Sequence, residues 1–318
     1  MRLLKVVLFI SLFLNILNAK EISPSFTYEA SGSVTDIVLK NEKIYVGTAA
    51  SKVNIFDIRT QELIESITIQ KIKDFMGDEI DSKIYSVDVF DNIVLILSQG
   101  SKGGRAIHIY KDSKLIEVIS AEKRMFIARA KFIDKNRILF SLLSNELFLY
   151  DLEKKKNIHQ TQISQSKFSY FTLSEDKKRV VIADESGILQ MLETNTFKIL
   201  EVFKKQNLDN VFQVDLKNDI ILTAGQDRRA AVFSINEKTA YHKDASFLIY
   251  SAGLSPSGEL AGIASTEDNE VSIFNTKTKE DLSILKGNKT TLTNIVFINE
   301  KEVLVSSDDE RINYYKID

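Results

Sequence analysis

The stretch Leu222–Thr239, LTAGQDRRAAVFSINEKT, decides the fold. A short apolar run ends in Gly225-Gln226-Asp227, a second run covers Ala230 to Ile235, and polar Asn236-Glu237-Lys238 follows. Short runs rich in apolar and β-branched residues, bounded by Gly, Asp and Asn, read as strands. The unit is therefore strand, acid-bearing turn, strand, polar turn.

Outward from this stretch the unit recurs. A large apolar residue late in the second of the two strands marks the register: Phe56, Tyr110, Tyr150, Leu192, Phe233, Phe274 and Tyr315. The spacings are 54, 40, 42, 41, 41 and 41. A period near 41 with several short strands per unit is the signature of propeller blades. Runs such as NIVLILS (Asn92–Ser98) are apolar at nearly every position, as strands buried between blades should be, and no long stretch holds a 3.6-residue period. The expected fold is all-β, a single seven-bladed propeller over residues 20–318.

The last unit, Thr291 to Asp318, stops after its third strand and would leave an unpaired edge. Ser25 to Ala30, SFTYEA, supplies a candidate. Phe26 precedes Ile37 by 11 residues, as Ile284 on an outer strand precedes Ile295 on the next inner one. The N-terminal strand is thus expected to complete the last blade and close the ring.

The repeats resemble degenerate WD40 repeats across the whole chain after its leader. The turn acid of that family falls on Asp227, Asp268 and Asp309, whereas Ala50, Gly104, Ser144 and Ser186 occupy the matching place elsewhere. The naming dipeptide survives only as Phe56-Asp57, Tyr150-Asp151 and Phe274-Asn275. The Gly-His pair is missing and the chain has no Trp, so the buried His–Trp hydrogen-bond network of the family has no residues to form it.

Composition restricts the function. The chain has 318 residues, a net charge of −2 and no Cys. Disulfides, thiolate metal sites and thiol nucleophiles are excluded. Residues 1–19, MRLLKVVLFISLFLNILNA, place Arg2 and Lys5 before an apolar run and end in Ala19. This is the pattern of a secretory signal peptide cleaved near Ala19, too short in its apolar part to span a bilayer. Without Arg2 and Lys5, 40 basic residues face 44 acidic ones, a charge of −4. Nucleic acid and anionic membranes select basic surfaces, so neither is expected as a partner. An exported chain without Cys fits the periplasm of a bacterium.

The one irregular spacing, 54 residues, locates two loops. Most of the excess lies in Lys71–Ser82, KIKDFMGDEIDS, between an outer and an inner strand; the rest lies in Gln99–Arg105, QGSKGGR, between two middle strands. In a propeller both connections emerge on the same face. Asp74, Asp78, Glu79 and Asp81 surround Phe75 and Met76 in the first loop, and Lys102 and Arg105 flank Gly-Gly in the second. An aromatic and a Met within a polar loop suit a protein contact. The pattern also fits a decorated loop whose Phe75 tucks onto its own blade. The acids do not follow the D-x-[DN]-x-[DN]-G calcium spacing, and the second loop lacks G-x-x-x-x-G-K-[ST]. His108, His159 and His242 are dispersed, and no Ser has the context of a hydrolase nucleophile.

Two function classes remain. One is a periplasmic protein-binding propeller that is not an enzyme and carries no cofactor. The other is a propeller enzyme, a calcium-dependent lactonase or quinone-dependent dehydrogenase, although no Trp is available to stack a quinone; within the first class a general cell-envelope assembly scaffold stands as an alternative role. The leader, PSFTYEASGSVTDIVLKNEKIYVGTA and KIKDFMGDEIDSKIYSVDV together resemble the NapL family of periplasmic accessory proteins from Campylobacter-like bacteria. That resemblance implies a role in maturation or activity of the periplasmic nitrate reductase, with its catalytic subunit as the partner. It implies no site residue.

Overall fold

The computed structural model describes residues 19–317, and the expected leader, but for Ala19, lies outside them. Seven antiparallel sheets run in chain order from an inner strand outward, and their inner strands stand side by side in a closed circuit. The fold is a seven-bladed β-propeller. The inner strands of blades 1 to 7 are Val34–Lys40, Ile84–Phe90, Ile127–Asp134, Phe168–Leu173, Val211–Lys217, Ala252–Leu254 and Leu292–Asn299. Each register residue read from the sequence falls in the third strand of its blade, from Phe56 in Lys52–Asp57 to Tyr315 in Arg311–Lys316.

The ring closes as the repeat arithmetic requires. Phe26–Glu29 pairs antiparallel with Arg311–Lys316, Phe26 opposite Tyr314 and Glu29 opposite Arg311. Tyr28 is buried there, edge-on to Phe56 of blade 1. A second N-terminal strand, Lys20–Ile22, was not expected: it runs parallel to the outer strand Asp281–Leu285 of blade 6. The first residues thus bind two blades, with Pro24 between the two strands and packed beside Gly287.

Local chemistry explains the turns. Asn41-Glu42, Asp112-Ser113 and Asn218-Asp219 have positive φ at both positions, the two-residue hairpin geometry that matches strand twist. In the opening stretch, a Cβ on Gly225 would stand 2.3 Å from Asp227 Oδ1 and 2.4 Å from Asn207 Nδ2. Only Gly lets the blade 5 turn close on the incoming loop.

The chain has no Trp, and polar groups tie its blades together. In blade 5, Asp227 accepts the Leu208 amide at 2.7 Å and Asn207 Nδ2 at 3.2 Å, and Thr223 donates to Asn207 at 2.8 Å. Between blades 3 and 4, buried Asp184 accepts Asn145 Nδ2 at 3.0 Å and Ser164 Oγ at 2.6 Å. Between blades 1 and 2, Ser51 donates to Asp81 at 2.9 Å and accepts the Ser82 amide at 2.7 Å. Each tie fastens a loop to its neighbour.

Candidate functional site: the blade 2 face

The long first loop folds into a small hairpin. Ile72–Lys73 pairs with Glu79–Ile80, Ile72 opposite Ile80. At the tip Asp74 accepts the amides of Met76 at 2.8 Å and Asp78 at 3.0 Å, and Gly77 takes φ +93° to complete the turn. The carboxylate thereby satisfies the tip backbone itself and fixes the direction of the two residues between. Phe75 is 95% exposed and Met76 72% exposed. Phe75 therefore does not tuck onto its blade.

The second loop lies beside this hairpin, as the topology requires. Ser101–Gly103 forms a single 3₁₀ turn in contact with Ile72–Lys73 on one side and with Ala121–Lys123 on the other. Lys102 is exposed on it with φ 57°. Arg105 is engaged inward: its guanidinium stacks over the Tyr85 ring at 3.8 Å and donates to the Ile127 carbonyl at 2.6 Å. Burial draws its pKa below the usual Arg value, against the opposing pull of Tyr85. Arg105 thus supports the loops from below, while Asp74, Phe75, Met76, Asp78, Glu79 and Lys102 form the presented surface. Phe126, 53% exposed, stands next to Gly103 on the same face.

The histidines are separate from one another in their bonding: His108 meets Ser98 Oγ at 3.1 Å, His242 meets Gln206 Oε1 at 2.8 Å, and His159 lies against Phe197. Among the described residues no group of three or more His, Asp or Glu could hold a metal ion.

The sequence reading missed a polar layer inside the ring. Six of the seven inner strands carry a register shift near their start, and the first residues beyond it are Asp36, Ser86, Arg129, Tyr170, Gln213 and Asn294. A bulge re-aims the side chain that follows it. The inner strands turn an unpaired edge toward the ring, and three of these side chains, Asp36, Ser86 and Gln213, accept an amide of the neighbouring inner strand instead. Asp36 accepts the Val87 amide at 2.9 Å and Ser86 the Ala130 amide at 3.1 Å. One step further along, Asp88 accepts the Phe132 amide at 2.6 Å and Asp215 that of Leu254 at 2.9 Å.

Charge is concentrated in this layer. Arg129 Nη1 lies 3.5 Å and Lys131 Nζ 3.4 Å from Asp36, with all three side chains nearly inaccessible. Lys131 also donates to the Val87 carbonyl at 2.6 Å, and the Arg129 guanidinium sits 3.8 Å over the Tyr170 ring. Burial alone would push the Asp36 carboxyl up, but Lys131 and Arg129 outweigh it and hold its pKa below the usual value. Burial pulls Lys131 down, and burial pushes the Tyr170 phenol well up. The available sequence signal was an acid recurring in otherwise apolar inner strands, TDIV, VDVF and VDLK, at Asp36, Asp88 and Asp215.

No protein-family model matches the chain, and no curated protein matches it.

Proposed function

We propose that this is an exported, non-enzymatic propeller that binds another protein through its blade 2 face. The observation that carries the proposal is the hairpin tip: Phe75 and Met76 are held out in solvent by a turn that Asp74 stabilises from within. Holding apolar side chains in water is unfavourable without a use, and aromatic and Met side chains are enriched in contact cores. Asp78 and Glu79 beside them fit a partner whose apolar pocket has a basic rim.

The finer reading is that the propeller belongs among WD40-type accessory proteins of the NapL kind, acting in the periplasm on the nitrate reductase. Its support is the leader sequence and the quoted N-terminal segments. The test is binding of the purified catalytic subunit of a periplasmic nitrate reductase to the propeller and to a Phe75→Ser/Met76→Ser variant. Binding weakened at least tenfold in the variant is expected. Equal binding by both removes the hairpin as the contact. No binding by the unaltered propeller removes the reductase as the partner.

A further inference from the structure

The middle of the ring holds an open-ended cavity of about 280 Å³ to which all seven blades contribute. Liquid water occupies about 30 Å³ per molecule, so the space suits several waters or one small organic ion. Its walls run from the bulge residues Arg129, Tyr170, Gln213 and Asn294 into the later parts of the inner strands, with Lys177 from the turn that follows the blade 4 inner strand. Loops such as the hairpin enter the inner strands at their starts. The cavity therefore extends from the bulge layer toward the face opposite the hairpin.

Four cations border this space: Arg129, Lys131, Lys177 and Lys217. The carboxylates among them are occupied. Asp36 takes the Val87 amide and both Arg129 and Lys131; Asp88 takes the Phe132 amide; Asp215 takes the amides of Leu254 and Leu216. The cations are less fully used. Arg129 is 91% buried by residue area, yet its Nε finds no hydrogen-bond partner, and its contact with Asp36 at 3.5 Å is longer than a normal N–H···O bond. A buried donor left unpaired is unfavourable. Lys177 forms no ion pair among the described residues, and Lys217 reaches Glu175 only at 3.9 Å. Asn294 and Gln213 add polar groups to the wall.

We propose that this cavity binds a small anion with a carboxylate or other oxyanion head. Arg129 meets the head at the inner end, stacked on Tyr170 and so fixed in plane. Lys177 and Lys217 guide and neutralise the ligand at the outer end. A planar guanidinium in the cavity wall matches an oxyanion in a way that a lone ammonium does not. This site lies apart from the hairpin face and does not depend on the protein-binding reading.

The test is isothermal titration calorimetry of the protein from residue 20 onward with succinate, with inorganic phosphate, and with succinamide as the neutral match to succinate. Saturable one-to-one heat with succinate or phosphate, and none with succinamide, is expected; which of the two binds separates an organic acid from an inorganic oxyanion. Arg129→Gln should weaken binding at least tenfold and Lys177→Gln about threefold or more. Lys177 stands at the rim of the cavity, so its variant keeps the test decisive if Arg129→Gln fails to fold. Absence of saturable heat with both anions would overturn the site and leave the cavity to water. Binding unchanged in Lys177→Gln and in folded Arg129→Gln would also overturn it.

Discussion

The hairpin over blade 2 and the polar layer inside the ring are built in opposite ways. The hairpin is local: Asp74, Met76, Gly77 and Asp78 satisfy one another within a few residues, and the Phe75 and Met76 side chains at the tip stand in solvent. The inner layer is global: Asp36, Arg129 and Tyr170 come from blades 1, 3 and 4, and each relies on bonds to strands far off in sequence. A local device can change its surface without disturbing the ring. A global one cannot lose a member without leaving buried charge or amides unpaired. The two regions should therefore separate cleanly in experiments that read stability and binding together.

The largest effect should come from breaking the ring on which the inner layer depends. Removing residues 20–31 deletes both N-terminal strands and the buried Tyr28. Truncating one buried aromatic costs about 3–5 kcal/mol, and at roughly 2 °C per kcal/mol for a large domain the melting temperature should fall by at least about 6 °C. Scanning calorimetry reads this directly. An unchanged melt would mean that strand pairing at the seam carries little of the ring's stability.

The next effect isolates the inner layer itself. Asp36→Asn leaves Arg129 and Lys131 buried without their shared counter-charge. Removing one member of a buried ion pair costs about 3–5 kcal/mol. The pH dependence has a definite sign. The folded state holds the Asp36 pKa below its ordinary value, so its stabilising contribution is present above the unfolded carboxylate pKa of about 3.9 and is lost as the pH falls toward the folded value. Urea unfolding should therefore show a gap between parent and variant that is widest near neutrality and narrows below about pH 4. A gap that stays constant with pH would show that packing or the Val87 amide, rather than charge, is what Asp36 supplies.

The same contrast explains what the sequence disclosed. The ring was legible because Phe56 through Tyr315 repeat at a nearly fixed interval, and burial between blades demands large apolar residues at that interval. Seam closure by Phe26–Glu29 was legible because the last unit lacked a strand. The hairpin was legible as an excess over the period, although the sequence alone left the placement of Phe75 open. The inner layer was hidden because its residues differ in chemistry from blade to blade: Asp36, Ser86, Arg129, Tyr170, Gln213 and Asn294 share a position, not a type. The parallel strand Lys20–Ile22 was hidden because three residues carry no period.

The smallest effect on stability should come from the hairpin. Phe75→Ser/Met76→Ser removes two side chains that are largely in water, and surface changes of this kind stay within about 0.5 kcal/mol. The tip bonds run from the Met76 and Asp78 amides to Asp74 and need neither side chain. The melting temperature should therefore match that of the parent within about 1–2 °C, and amide exchange at Ile72–Ile80 should be unaltered. A clear drop in the melt would show that Phe75 or Met76 packs on the ring in solution. Such a result would erase the contrast between a local and a global region, and loss of partner binding in this variant would then no longer point to the tip as a contact.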